Sequence, residues 1–174
     1  PFFYKDQVMP PVTIRLETPA DHLAIKNVTT AAFGQKDEAQ LIQRLREDGS
    51  VILSLVATND AGRVIGHLMF TDLIIEGIEN AAALAPMSVH PDHQKKRIGT
   101  AMIKEGLEIC RSLEINVIVV LGHEMYYPRF GFSADLARCL DAPFSGPALM
   151  ALELTPGTLS GSDLKVTYPA AFGI

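Results

Sequence analysis

Three things are scarce in this sequence: cysteine, long apolar runs and positive charge. Only two of its 174 residues are cysteines, Cys110 and Cys139, and their separation fits no metal or redox motif. We therefore expect both to be buried small hydrophobic residues in a reducing, cytoplasmic environment. No apolar run approaches the ~20 residues of a membrane span, and no signal peptide is recognisable. These absences argue against a membrane protein and against a disulfide-stapled secreted one.

Acidic residues outnumber basic ones. The chain has 15 Lys and Arg and 20 Asp and Glu, so its formal net charge is -5. This balance argues against nucleic acid as the main partner. The familiar phosphate motifs, GxxxxGK(S/T) and GxGxxG after a strand, are also missing. No Ser-His-Asp or Cys-His set is convincing, and His90 and His93 have no third ligand nearby. We therefore expect neither a nucleophilic triad nor a metal site.

What is present is the composition of an ordinary globular domain, with 48% hydrophobic and 20% charged residues. A chain of this length can bury roughly 70% of its unfolded surface, so it needs no disulfide or metal staple. We divide the sequence into an N-terminal arm, residues 1–11, and a single domain, residues 12–174. Met9 is a candidate native start, with residues of foreign origin ahead of it.

Hydrophobic periodicity predicts the order strand, two helices, hairpin, strand, helix, strand, short helical turn and late strand. The main predicted ranges are 12–18, 20–33, 37–48, 51–58, 63–75, 80–90, 98–114, 116–122 and 147–155. The strand at 80–90 is interrupted by Pro86, which suits a bulge or an edge. The passage from strand to helix 98–114 to strand predicts a right-handed crossover, and with it a parallel pair of strands. The prediction is an α/β fold with one mixed sheet and helices on both faces.

The stretch SVHPDHQKKRIGTAMI, residues 88–103, places basic residues where a strand turns into a helix. A helix N-terminus has unpaired N–H groups and a partial positive charge, so it can bind an anion. Gly99 has no Cβ to hinder a phosphate. The pattern indicates a pyrophosphate held by the backbone amides of residues 94–100, and solvated surface charge is the alternative. The added cations are Lys95, Lys96 and Arg97.

Two motifs resemble the GNAT N-acetyltransferases. Gln94 and Gly99 fit the first and last positions of the family's acetyl-CoA loop, Q/R-x-x-G-x-G/A, whereas Arg97 stands where the family has glycine. The later YYPRFGF resembles the family's Y-x-x-x-G-F element, with Tyr127 four residues before Gly131. The motifs occur in the family's order, and the chain is most similar to the YhbS-like bacterial subgroup.

The resemblance implies acetyl-CoA as cosubstrate and direct acetyl transfer to a primary amine of a small molecule or protein. It implies that the pantetheine arm pairs with the strand backbone at Met87, Ser88 and Val89. The remaining CoA-binding residues are then Gln94, Lys95, Lys96, Arg97, Ile98, Gly99 and Thr100. Because we expect ordinary helical dihedrals at the helix start, Arg97 should leave CoA binding intact.

Tyr127 is the expected general acid. A phenol with a pKa of ~10 is protonated at neutral pH and can donate to a departing thiolate. The resemblance implies this role for the matching tyrosine. The alternative is an aromatic residue packed beside Phe130 and Phe132. Tyr126 is the weaker candidate, because the spacing to Gly131 selects Tyr127.

The sequence leaves the general base open. An alkylamine with a pKa of ~10 is almost entirely protonated at neutral pH, so its deprotonation must be helped. Glu38 and Glu124 are the preferred candidates, ahead of His67 and His123. A chain of water molecules is the alternative to all of them.

Two functions remain open at this point. One is an acetyl-CoA-dependent N-acetyltransferase. The other is a GNAT-like module that holds CoA or acyl-CoA as a sensor or scaffold without transfer, and Arg97 keeps this alternative open. No motif names the acceptor amine. We expect no nucleic-acid or membrane partner, and both a monomer and a homodimer are compatible with the sequence.

Overall fold

An eight-stranded mixed β-sheet forms the centre of the computed structural model, which describes residues 11–174. The strands are β1 (Thr13–Leu16), β2 (Val51–Thr58), β3 (Val64–Ile75), β4 (Ile78–Val89), β5 (Val117–Leu121), β6 (Leu140–Asp141), β7 (Leu149–Glu153) and β8 (Leu164–Thr167). Six of them pair in the order β1-β2-β3-β4-β5-β7, and β8 pairs with β3 and β6. The β4–β5 pair is parallel, as the crossover required, and the hairpin pairs are antiparallel.

Helices cover both faces of this sheet. They are α1 (His22–Phe33), α2 (Asp37–Glu47), α3 (Ile98–Ser112) and the short α4 (Ala134–Ala137). Alternation along β3 explains the arrangement, because neighbouring side chains of a strand point to opposite faces. Leu68 and Phe70 pack in one core with Met102 of α3, whereas Met69 packs in another with Ile25 of α1. The predicted α/β fold is confirmed.

Short 3₁₀ turns connect several elements, at Pro19–Asp21, Pro91–His93, Tyr127–Phe130 and Ala170–Phe172. The turn at Tyr127–Phe130 ends at Gly131, which has φ of 96°, as expected for a glycine terminator. The sequence did not predict α4, β6 or β8, since elements this short carry no readable period. The predicted N-terminal arm, with Met9, lies almost wholly outside the described residues.

The parallel pair β4–β5 is short, and this creates an opening in the sheet. Pairing extends only from Ala81–Val117 to Ala83–Val119. Beyond that point β4 continues to Val89, while the end of β5 pairs with β7. A gap therefore opens between β4 and β5 at their C-terminal ends, where open α/β sheets bind ligands.

Pro86 lies in β4, which runs through it without a break, and marks the bulge that the sequence predicted. The β3–β4 register steps from Leu68–Met87 to Phe70–Leu84, which leaves Ala85 and Pro86 without a partner in that ladder. Proline has no N–H to donate, so a bulge is a site that it tolerates.

The expectation for cysteine holds at one position only. Cys110 is buried in the α3 core, and burial raises the pKa of its thiol to about 12. Cys139 is only partly buried, because it follows the short α4 near the surface. None of the helices within residues 11–174 combines the length and apolar character needed to cross a membrane.

Candidate active site

A groove of about 640 Å³ lies where the end of β4, the first turn of α3 and the segment after β5 meet. The gap between β4 and β5 opens into it. The residues that line it are Met87, Ser88, Val89, His93, Gln94, Lys95, Arg97, Ile98, Gly99, Thr100, His123, Tyr126, Tyr127 and Arg129. Every predicted CoA-binding residue except Lys96 is in this lining, and so is Tyr127.

The loop between β4 and α3 presents free backbone donors to the groove. Within residues 11–174, the amides of residues 94–100 donate no hydrogen bond, and the first intrahelical bond of α3 runs from Ala101 N–H to the Arg97 carbonyl. The Gln94 side chain fixes the loop to β4 through a 3.0 Å hydrogen bond from Nε2 to the Val89 carbonyl. Successive free amides at a helix N-terminus form an anion-binding nest.

The backbone at Arg97 differs from the prediction. We expected ordinary helical dihedrals there, but Arg97 has φ of 63° and ψ of 18°, in the left-handed region. Lys95 also has a positive φ, of 62°. The backbone of this chain at position 97 is therefore one that favours glycine, and Arg97 adopts it at a steric cost.

The groove is cationic although the whole chain is acidic. Its lining contains Lys95, Arg97 and Arg129 and no carboxylate. The Lys96 side chain lies outside the lining, where its Nζ is 3.3 Å from the Asp92 carbonyl. Free amides and three cations at one place favour a polyanionic ligand such as a pyrophosphate.

Tyr127 is both a core residue and a groove residue. It is 7% exposed and its ring makes an edge-on contact with Phe132. Gly122 sits directly against the Tyr127 ring, so any Cβ at that position would collide with it. Within residues 11–174 its hydroxyl makes no hydrogen bond to protein. Burial raises the pKa of Tyr127 to about 12, so the phenol stays protonated.

Tyr126 occupies a more central position than the sequence indicated. Its hydroxyl lies 3.2 Å from Thr100 Oγ1, across the start of α3. A Cβ built on Gly99 would stand 3.2 Å from the same hydroxyl, so the space at Gly99 accommodates Tyr126 in this structure. The adjacent Arg129 stacks over the Tyr126 ring. Motif spacing pointed to Tyr127 alone, and only the three-dimensional turn places both tyrosines in the groove.

The two preferred base candidates do not reach the groove. Glu38 lies in the first turn of α2, where Gln35 Nε2 donates to its carboxylate at 3.0 Å. Glu124 is exposed and lies outside the lining. The structure instead brings His93 and His123 to the groove, of which only His123 had been considered as a base.

Comparisons with known proteins agree with this geometry. The acetyltransferase (GNAT) domain family matches residues 13–134. The N-acetyltransferase YjhQ of Escherichia coli is 33% identical, over 86% of this chain and 89% of its own. The E. coli N-acetyltransferase YhbS is 34% identical, over 91% of this chain and 97% of its own.

Two crystal structures share the whole architecture. YhbS from E. coli in complex with CoA superposes with a TM-score of 0.87 at 30% identity, covering 94% of this chain and 92% of that one. A GNAT acetyltransferase from Brucella melitensis in complex with acetyl-CoA gives 0.79 at 34% identity, with coverage of 93% and 98%. The chain belongs to the GNAT acetyltransferases, within their YhbS-like group.

Proposed function

We propose that the protein transfers the acetyl group of acetyl-CoA directly to a primary amine of a small molecule or a protein. The observation that carries this proposal is the groove itself. It combines a gap between two parallel strands, a run of free amides at a helix N-terminus and a buried, protonated phenol.

The loop amides and cations would bind the CoA part of the cosubstrate. The pyrophosphate would sit on the amides of residues 94–100, with Lys95 and Arg97 supplying charge-assisted contacts. The relatives crystallised with CoA and acetyl-CoA support this assignment. The pantetheine arm would enter the gap and pair with the backbone of Met87–Val89, as an added strand. A backbone amide there, aimed at the thioester oxygen, would stabilise the tetrahedral intermediate by roughly 3 kcal/mol.

Tyr127 would assist the departure of the leaving group, the CoA thiolate. The neutral amine attacks the thioester carbonyl, the nitrogen of the tetrahedral intermediate loses a proton to water, and the C–S bond breaks to release the CoA thiolate. Tyr127 remains protonated in the groove and can donate a hydrogen bond to that sulfur. Its raised pKa disfavours a lasting tyrosinate, so a proton given to the thiolate must return to the phenol from water.

The test is a turnover assay with a panel of primary amines, from n-butylamine and phenethylamine to spermidine and a lysine-containing peptide. We expect thiol release from acetyl-CoA that depends on an amine, together with an N-acetylated product detected by mass spectrometry. Acetyl-CoA binding without turnover on any amine would contradict the transferase and favour the sensor or scaffold.

A further inference from the structure

The groove contains one cation that has no role in the proposed chemistry. Arg129 belongs to the 3₁₀ turn after β5, is exposed and lines the groove. Within residues 11–174 its guanidinium has neither a salt-bridge partner nor a hydrogen-bond acceptor, whereas four other arginines each pair with a carboxylate, namely Arg15, Arg46, Arg111 and Arg138. The five N–H donors of Arg129 are therefore available to an anion that enters the groove.

Stacking holds this guanidinium in place. Arg129 Cζ lies over the Tyr126 ring, 5.6 Å from its centroid. The ring is itself supported, because Tyr127 and Phe130 contact it edge-on at centroid distances of 5.2 and 5.3 Å. Its hydroxyl lies 3.2 Å from Thr100 Oγ1 at the start of α3. A stacked guanidinium keeps the donors in its plane free, so Arg129 is presented to a ligand in a defined position.

The Tyr126 ring separates Arg129 from the free amides of the loop before α3. The hydroxyl end of the ring is beside Gly99, whereas the guanidinium lies over the ring. Lys95 and Arg97 belong to the loop itself. The groove therefore has cations in two places, on the loop at the helix start and on the wall that follows β5.

CoA also carries its negative charge in two places. The pyrophosphate joins the pantetheine arm to the ribose, and a separate phosphate monoester is attached to the 3′ oxygen of that ribose. A phosphate monoester carries roughly −1.5 to −2 charges near neutral pH. The fork of an arginine side chain fits two oxygens of such a group through parallel, charge-assisted hydrogen bonds.

We propose that Arg129, supported on the Tyr126 ring, binds the 3′-phosphate of CoA. The inference rests on the proposed binding of CoA in this groove, and it adds a second phosphate site on the wall after β5. In that arrangement the pyrophosphate occupies the loop amides with Lys95 and Arg97, so the remaining phosphate meets the remaining cation. The groove should then distinguish CoA from 3′-dephospho-CoA, which is identical at the thiol, the pantetheine arm and the pyrophosphate.

Other roles of Arg129 predict different behaviour. An arginine that reinforced the pyrophosphate site would stabilise both forms of CoA equally. An arginine that bound an anionic group of the acceptor, or that only stacked on Tyr126 in solvent, would affect the binding of neither form. The difference in affinity between the two forms of CoA therefore identifies the 3′-phosphate contact.

The decisive experiment is a calorimetric cycle with acetyl-CoA and acetyl-3′-dephospho-CoA, on the wild type and on Arg129→Gln, at one fixed ionic strength. Glutamine keeps a polar side chain but removes the charge. We expect the wild type to bind acetyl-CoA about tenfold more tightly than the dephospho form, the order of effect of one charge-assisted hydrogen bond. In Arg129→Gln this preference should fall to about twofold, because only the field of the other cations remains. The affinity for the dephospho form should stay the same.

The matched control is Arg111→Gln. It removes an exposed arginine near the end of α3, which pairs with Glu108 and lies outside the groove lining. The variant changes the net charge by the same amount as Arg129→Gln and should retain the full preference for acetyl-CoA. A preference that falls equally in both variants would show a nonspecific effect of net charge and would overturn the assignment.

Equal losses of affinity for the two ligands in Arg129→Gln would place the guanidinium at the pyrophosphate and overturn the inference, and so would unchanged affinity for both. A wild type that binds the two ligands equally tightly would overturn the inference while leaving CoA in the groove. A wild type that binds neither ligand would refute the proposed function together with the inference. Each of these measurements is made without an acceptor amine.

Discussion

At the scale of single residues, Tyr127 and Arg97 show how position changes what a side chain does. Tyr127 is a core aromatic whose ring lies against Gly122, and the residue still lines the groove. The two interpretations of this tyrosine, packing and chemistry, are therefore compatible. Arg97 is an exposed cation whose backbone lies in the left-handed region.

For Tyr127→Phe we expect turnover to fall about 10²-fold, the usual effect of a lost general acid. CoA affinity should hardly change, because the missing hydroxyl acts on the leaving thiolate. The measurement is steady-state kinetics together with calorimetric CoA binding. Tyr126→Phe is the matched control, and it should cost much less. Full turnover in Tyr127→Phe, with chemistry shown to limit the rate, would show that Tyr127 is not the general acid and only packs in the core.

For Arg97→Gly we expect a gain in stability of about 1 kcal/mol, because glycine accepts the positive φ without steric strain. The midpoint of urea unfolding measures it. CoA affinity should change only modestly. A glycine variant that binds CoA a hundredfold more tightly, a difference of about 2.7 kcal/mol, would show that Arg97 obstructs the site.

At the scale of elements, one buried carboxylate, that of Asp21, holds the 3₁₀ turn Pro19–Asp21 that leads into α1. Asp21 Oδ2 accepts from Thr18 N–H at 2.7 Å, and Arg15 forms two hydrogen bonds to the same carboxylate. The hydrogen bonds from Arg15 hold the pKa of Asp21 well below its usual range, in spite of desolvation. The next residue along the chain, His22, lines a cleft of about 690 Å³ between α1 and α2.

Asp21→Asn should destabilise the fold by about 1 kcal/mol, because the hydrogen bonds from Arg15 and Thr18 lose their ionised acceptor. Because the folded pKa is depressed, the stabilisation is present above the unfolded pKa of ~3.9 and is lost as pH falls towards the folded value. The gap between wild type and variant in urea unfolding should be full at pH 7 and narrow below about pH 4. A gap that is constant across this range would contradict the role of the ionised carboxylate.

The elements also show how far a single sequence can be interpreted. The parallel pairing of β4 and β5 and the bulge at Pro86 were predicted from a crossover and a proline, whereas the length of the pairing, which sets the gap, is visible only in the structure. The loop residues were found because charge and glycine mark a helix start. The positive φ of Arg97 could not be found, because side-chain chemistry does not reveal a backbone dihedral. The contact between Tyr126 and Thr100 and the burial of His67 depend on tertiary packing, which leaves no local pattern.

At the scale of the whole molecule, the charge of the groove is opposite in sign to the net charge of the chain. The chain carries a net charge of -5, yet the groove is lined by cations and free amides. An acidic surface around a cationic groove favours one polyanionic ligand at one place over nonspecific binding of nucleic acid. Binding of CoA should accordingly weaken as salt is added, because exposed charges are screened.

The measurement that tests the account most directly is calorimetric titration of acetyl-CoA into the wild-type protein and into Gly99→Glu. The wild type should bind one acetyl-CoA per chain. The variant should bind none, because the glutamate adds bulk at Tyr126 and negative charge at the anion site, while its fold, checked by circular dichroism, stays intact. Unchanged affinity in Gly99→Glu would contradict the placement of CoA in this groove.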